Sequence, residues 1–311
     1  MRHGKLTPSA LRRYGFIVSF LLLPLALYIV FFVSPNLQAI QLAFTNSRGI
    51  SPTFAYVGFD NFTRLFDDDV FWAAVRHHGV ILLAMPLLSL LIALFFSFLL
   101  NLGGGQRNGR MAGVWGSGFY KVVFFFPQVL AVAIVGVLFQ AILRPDKDGI
   151  LNSALALIGV DPVGWLIDPD LALWTIIGVA VWQAVGFYVV LFSAGMASVP
   201  KEIFEAAALD GANRFTLFFR ITIPLIWNTV QVGWVYLGIA AFDCFALVQV
   251  LSVDRGGPDN ATTVLPLEIW RQAFSYYRFG YSSAMGVALV FLVLTFAALT
   301  LRVTRRERIE F

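Results

Sequence analysis

Glu205-Ala206-Ala207-Ala208-Leu209-Asp210-Gly211-Ala212-Asn213-Arg214 is a polar, helix-forming island between two long apolar runs. Pro200 suits the first turn of a helix, Lys201, Glu202 and Glu205 mark a wet face, and Ala206 to Ala208 give small surface with high helix propensity. Gly211 can take the left-handed conformation that ends such a helix. A second short segment, Arg214 to Ile221, carries Phe215, Phe218 and Phe219 at helical spacing and is expected to stop before Pro224. The element is therefore helix, glycine, helix, too elaborate for a loop that only turns the chain.

Working outward, the rest of the chain is far more apolar. Of its 311 residues 59% are hydrophobic, 15% aromatic and only 13% charged. A soluble domain carries roughly a quarter charged residues, so this is a polytopic membrane protein, and the fold class expected is all-α. Cys244 stands alone, which excludes a disulfide framework and a cysteine-rich metal site within the chain. His3, His77 and His78 are too few and too scattered for a metal cluster, and the adjacent pair suits a membrane interface. The net charge of +4 could suggest nucleic acid, but the basic residues flank apolar spans, so membrane lipid and no nucleic acid is expected as partner.

Six stretches have spanning length: 15–33, 79–101, 122–143, 171–196, 224–251 and 282–301. The first follows a basic head but lacks a small-residue cleavage site, so it is a retained helix and not a signal peptide. Residues 1–311 form a single transmembrane domain with no internal repeat, and 197–223 form the polar loop between spans four and five. Fourteen Lys and Arg lie in the termini and the two loops on their side, against eight in the three opposite loops. The positive-inside rule then puts both termini and the Glu205 loop in the cytoplasm of a bacterial cell.

Glu205-Ala206-Ala207, three residues, Gly211, nine residues, then Ile221-Thr222-Ile223-Pro224 resembles the cytoplasmic signature of the membrane subunits of binding-protein-dependent ABC importers, with Ile223 where that family has Leu. Asp210-Gly211-Ala212 is the form typical of its maltose-type carbohydrate branch. The resemblance extends from about Tyr14 to Leu301 and includes Val57-Gly58-Phe59-Asp60-Asn61-Phe62, Gly149-Ile150-Leu151-Asn152, Gly256-Gly257-Pro258 and Gly280-Tyr281-Ser282-Ser283-Ala284. Gly118-Phe119-Tyr120-Lys121, Phe126-Pro127-Gln128, Phe192-Ser193-Ala194-Gly195-Met196 and Arg305-Arg306-Glu307-Arg308 look similar to N-acetylglucosamine or chitobiose permeases of actinobacteria. This implies a type I importer permease fold. It also implies a coupling role toward an ATPase for Glu205, Ala206, Ala207, Asp210 and Gly211. The aromatic residues after the first span suit an interfacial helix, and both a plain aromatic belt and a contact with an external partner fit them.

Gly104-Gly105-Gln106-Arg107-Asn108-Gly109-Arg110-Met111 is not a phosphate loop, since Arg and Met stand where Lys and Ser or Thr must reach phosphate and Mg²⁺. It reads as a flexible basic turn. The chain has no nucleotide site of its own, and ATP and Mg are expected in separate ATPase subunits. Asp243 is the only acidic residue within a span, where a charge costs about 2.5 to 3.5 kcal/mol on insertion scales and normally faces a bundle interior or water. On a helix, Asn228, Gln231, Gly238, Phe242, Asp243 and Gln249 fall loosely on one side of span five, with Tyr236 near the edge. Span four offers Trp182, Gln183, Phe187 and Tyr188. In the family that the sequence resembles, the spans flanking the coupling motif line the cavity. Hydroxyl-binding amides and stacking aromatics suit sugar, while hydrogen bonding between helices would use the same residues. Pro86, Pro127 and Pro224 are expected to kink their helices.

The function implied is one permease half of an ATP-driven carbohydrate importer. Its partners would be a second related permease, an ATPase dimer and an extracellular sugar-binding protein or lipoprotein, and the substrate N-acetylglucosamine or a chito-oligosaccharide. An ion-coupled secondary transporter would need several intramembrane ionisable groups or broken helices in repeated halves, and Asp243 alone is thin support. A membrane enzyme would need converging His or carboxylate pairs, for which His77, His78 and Asp67-Asp68-Asp69 are the only candidates.

Overall fold

The computed structural model describes residues 8–50, 53–102, 106–107, 110–111 and 113–303. The basic head at Arg2 and Lys5, the tail from 304, and Gly104, Gly105, Asn108 and Gly109 lie outside the described residues. Apart from one two-residue hairpin and an isolated bridge, the described chain is helical, as its composition requires. Four helices are long and apolar enough to cross a membrane, and two sharply bent pairs bring the number to six. The described residues fall into two compact units, one from the segments up to Asp67 and Ile269–Val290, the other from Asp68–Glu268 and Phe291 onward.

In the first unit, α1 (Pro8–Tyr28) passes through a π-helical turn, Ile29–Val33, into α2 (Ser34–Ala43) without a break. The expected end at Val33 is thus ten residues short. Pro35 has no N–H and its ring opposes an i−4 carbonyl; widening the preceding turn, where the Ser34 N–H bonds to the Ile29 carbonyl, lets the helix pass it. The Asn36 amide then donates to the Phe32 carbonyl at 2.7 Å. Beyond α2 the Asn61 amide, on α3 (Asp60–Phe66), donates to the Ala43 and Thr45 carbonyls, each at 2.8 Å, and Phe44, Phe59 and Phe62 cluster around it. The Arg64 guanidinium lies 4.3 Å from the ring centre of Tyr281.

The second unit is organised by two long helices, α4 (Asp69–Leu102) and α8 (Pro169–Ala197). With 34 residues, α4 is about 50 Å long against a hydrocarbon core of about 30 Å, so the expected start at residue 79 misses ten residues lying outside the apolar run. Pro86 sits inside α4. Span four, expected at 171–196, is α8 at 169–197, opened by Pro169 in its first turn and by the Asp168 carboxylate accepting the Asp170 N–H at 2.9 Å. After α4, β1 (Gln106–Arg107) pairs antiparallel with β2 (Arg110–Met111) where a basic turn was expected.

Spans three and five depart from the expected single helices. Residues 122–143 are α5 (Ser117–Val129) and α6 (Val132–Ile142), bent 98° at Leu130 and Ala131, both extended. Residues 224–251 begin in α11, then form α12 (Trp227–Phe242) and α13 (Phe245–Leu251), with Asp243 and Cys244 between these last two. Ahead of them α9 (Lys201–Leu209) and α10 (Arg214–Thr216) lead through a π-helical turn, Leu217–Thr222, into α11 (Ile223–Leu225), and a 74° bend separates that run from α12. The second coupling segment therefore runs past Pro224 instead of stopping before it. The wide turn relieves the proline ring, and the Thr222 hydroxyl caps the Leu217 carbonyl at 2.9 Å. A short helix, α14 (Leu265–Trp270), precedes α15 (Phe279–Val303), the sixth span, which starts three residues earlier than expected.

Candidate functional site

Two places in the second unit bear on function. The first is the quoted island. Its helix α9 starts one residue after Pro200, which stands at the cap and not in the first turn. Phe204 is buried and holds the helix to the bundle, with Ile203 and Ala207 packed beside it. The opposite side carries Lys201, Glu202, Ala206 and Asp210, all exposed, and Glu205 half-buried with no side-chain partner among the described residues. Gly211 has φ +82°, and the Gly211 and Ala212 N–H groups return to the Ala208 and Ala207 carbonyls at 3.2 and 2.9 Å. This pair of bonds is the Schellman closure that a left-handed glycine permits. Asn213 caps the next turn, its side-chain oxygen accepting the Thr216 N–H at 2.8 Å. Phe219 packs between Phe215 and Phe218, and Phe218 reaches Phe98 of α4 at 4.7 Å between ring centres. Leu209 is 86% exposed and Phe215 70%. Leu209 is an apolar knob that the sequence reading quoted without assigning, although an apolar residue on the wet side of α9 was the signal.

The second place is a cavity of about 500 Å³. Helix α8 supplies Gln183, Phe187 and Tyr188, α12 supplies Tyr236 and its last turn, and Asp243 and Cys244 follow directly. Met85 of α4, Gln128 at the end of α5, Val132 at the start of α6 and Leu247 of α13 complete the wall. Gln128 and Val132 flank the first break, at Leu130–Ala131, and Asp243 and Cys244 form the second, so both breaks lie beside it. The Gln183 amide donates to the Leu130 carbonyl at 3.2 Å, so one cavity residue pairs the peptide group freed by the break. The Asp243 carboxylate is exposed and has no hydrogen bond or ion pair among the described residues, while its backbone N–H bonds to the Ile239 and Ala240 carbonyls.

Five of the seven expected cavity residues, Gln183, Phe187, Tyr188, Tyr236 and Asp243, thus meet around one space. Trp182 does not; its ring packs on Phe139 at 5.0 Å, because it points off α8 toward α6. Gln231 lies two turns too far from the end of α12 and does not line the wall. The expected stripe also fails as a stripe. Asp243 ends a helix instead of lying inside one, so Gln249 starts from a new axis, Gly238 is closed over by Phe296, and Phe242 packs between His78 and Phe296. Gln128 and Cys244, beside the two breaks, and Met85 of the unbroken α4 also line the wall, and no local sequence signal marks them as lining residues.

The remaining candidates have structural surroundings. The His77 ring nitrogen meets the Thr263 carbonyl at 3.0 Å, and His78 is buried against Phe242. Among the described residues no group of three or more His, Cys, Asp or Glu is placed to hold a metal ion. Asn152, on the short helix α7 (Ile150–Ala156), is a buried hub, its amide donating to the Arg144, Asp146 and Val163 carbonyls and its oxygen accepting from Val163 N–H and the Trp165 indole.

Apolar spans, an open cavity beside the places where two of them break, and an exposed helix-glycine-helix element between the fourth and fifth define the membrane subunit of a transporter. Residues 79–309 match the family model of the binding-protein-dependent transport system inner membrane component, and the chain belongs to that family, the non-catalytic permease subunits of ABC importers. It is 41% identical to the diacetylchitobiose uptake system permease protein NgcF of Streptomyces coelicolor over 296 residues, 94% of this chain and 83% of that one. It is 29% identical to the multiple sugar-binding transport system permease protein MsmF of Streptococcus mutans over 291 residues, 93% and 94% of the two chains. Its fold matches a chain of a bacterial ABC transporter involved in the import of the acidic polysaccharide alginate, with a TM-score of 0.74 at 24% identity over 94% of this chain and 98% of that one. The family resemblance carried by the Glu205 motif is thereby confirmed, together with a multi-pass membrane location.

Proposed function

We propose that this chain is one permease half of an ATP-driven carbohydrate importer, and that it carries N-acetylglucosamine or short chito-oligosaccharides. The observation that carries this reading is the cavity. Phe187, Tyr188 and Tyr236 offer aromatic rings to a sugar, and Gln128 and Asp243 offer hydrogen bonds to hydroxyls or amides, all lining one cavity. The identity to a diacetylchitobiose permease over nearly the whole chain supports the choice of sugar. A second permease would close the path, an external sugar-binding protein would deliver the substrate, and a pair of ATPase subunits would bind ATP and Mg. The α9 element, with Glu205 unpaired and Leu209 standing out, is the surface that fits a cleft on an ATPase, and in this reading both termini share its cytoplasmic side.

Uptake of labelled diacetylchitobiose by the complete complex in liposomes tests the reading. Accumulation should require ATP on the α9 side and the binding protein on the other, and should ignore imposed proton or Na⁺ gradients. Uptake that follows an ion gradient without ATP would make the chain a secondary transporter. Orientation is tested separately in intact cells, where a cysteine at Asn213 should resist an impermeant thiol reagent and one at Asp161 should react.

A further inference from the structure

The wall of the cavity carries one formal charge. Asp243 is its only ionised side chain, and the others are amides, phenols, a thiol and apolar groups. Helix ends do not change this balance. The C-termini of α5 and α12 bring partial negative charge to the wall at Gln128 and Ala240, but the N-termini of α6 and α13 bring the opposite at Val132 and Cys244, so the dipoles offset each other. What remains is an exposed carboxylate with no ion pair among the described residues.

A neutral sugar leaves that charge uncompensated, an acidic sugar opposes it, and a protonated amine supplies the missing partner. Resting on the carbohydrate reading above, we infer that Asp243 makes the cavity a site for amino sugars with a free ammonium group, the deacetylated counterparts of chito-oligosaccharides, and that it disfavours acidic ones. The nitrogen substituent is the point of discrimination: an ammonium donates charge-assisted hydrogen bonds to Asp243, whereas an acetamido group offers one neutral N–H.

Equilibrium binding to the purified complex in nanodiscs, without the external binding protein, isolates the cavity. The probes are the glucosamine disaccharide and N,N′-diacetylchitobiose. Asp243→Asn keeps the shape and removes the charge, and should weaken the glucosamine disaccharide about tenfold more than the diacetyl form, while Asp243→Glu keeps the difference between the two sugars. Asp243→Ser serves if the Asn variant does not assemble. Equal weakening of both sugars, or binding of the diacetyl form alone by the unmodified complex, overturns the inference and leaves the carbohydrate reading standing. Failure of the unmodified complex to bind either sugar removes both.

Discussion

Helix α8 and its bent neighbours are equally apolar and differ in how they treat the backbone. Over 29 residues α8 pairs its own peptide groups from an Asp168 cap to Ser198, and the bundle core gathers around it. Spans three and five interrupt themselves, at Leu130–Ala131 and Asp243–Cys244, and residues at or beside each interruption line the cavity. The difference teaches that a membrane protein can place unpaired backbone at depth only where protein groups or a water-filled cavity satisfy it. At the Leu130 break Gln183 of the straight helix is that provision. Proline does not explain the contrast. Pro86 lies inside unbroken α4, and Pro127 precedes its break by three residues, whereas a missing N–H and a ring clash act on the turn before a proline.

The comparison is broken most severely at Gly186. There the Phe124 backbone of α5 lies directly on α8, and a Cβ would overlap the Phe124 carbonyl, a backbone atom that no rotamer change can move. Gly186→Leu should cost at least the upper end of the ~1–3 kcal/mol of overpacking and yield little monodisperse permease after solubilisation. Normal yield and thermal midpoint would mean that α5 can shift freely and that the bend is not held by α8.

The next effect is at Gln183. Gln183→Leu fills similar volume but leaves the Leu130 carbonyl unpaired, at a cost of about 1–3 kcal/mol, visible as a lower thermal midpoint of the purified complex. Gln183→Asn is too short to reach and should behave alike. If neither variant loses stability, water in the cavity satisfies that carbonyl and the straight helix is not needed for it.

How far these features were legible follows from where their causes lie. The bounds of α8 could be read within two residues because Asp168-Pro169 is a local start signal and no competing one follows. Gly211 could be read because its conformation depends on its own missing Cβ. The bends could not: Leu130-Ala131 is as apolar as what surrounds it, with no turn residue, and the bend is held by Gly186 and Gln183 more than fifty residues away. Asp243 stands out by its charge, but it ends α12 instead of lying inside a helix, because a periodicity of 3.6 carries no sign of the break. The first turns of α4 are hidden for another reason, since Arg76, His77 and His78 interrupt the apolar run and leave Asp69 to Val75 outside a span read from hydropathy.

Gly211 sets a third test, between rigid helix and deliberate interruption. Its Cβ position is open, with nothing within 4 Å, so a substitution acts through φ alone. Gly211→Val should cost about 1–2 kcal/mol in the left-handed region and displace α10, while Gly211→Asn, a residue that tolerates this region, should be milder. The measurement is the ratio of sugar moved to ATP hydrolysed in liposomes. A ratio unchanged in the Val variant would make the element a passive connector.

The smallest effect is expected in the loop that joins the bent third span to α8, where a buried amide and an exposed ion pair lie side by side. Asn152 is 1% exposed and gathers four backbone groups and the Trp165 indole, whereas Arg144 and Asp146, 2.6 Å apart, are open to solvent on both sides. The hydrogen bond from Arg144 holds the Asp146 carboxyl below the usual carboxylate range, assisted by the Asp148 and Gly149 N–H groups. A depressed folded value contributes stability above the unfolded pKa of about 3.9 and loses it as pH falls through the folded value. Screening by solvent keeps that contribution small. Asp146→Asn should therefore lower the thermal midpoint slightly at neutral pH, by less than Gln183→Leu does, and the two proteins should converge as the pH falls from about 4 through the depressed folded value, below which the carboxylate is protonated in both states. If Asp146→Asn instead destabilises the protein as much as Gln183→Leu at neutral pH, the surface pair and not the Asn152 hub fixes the loop that carries the chain from the bent span to the straight one.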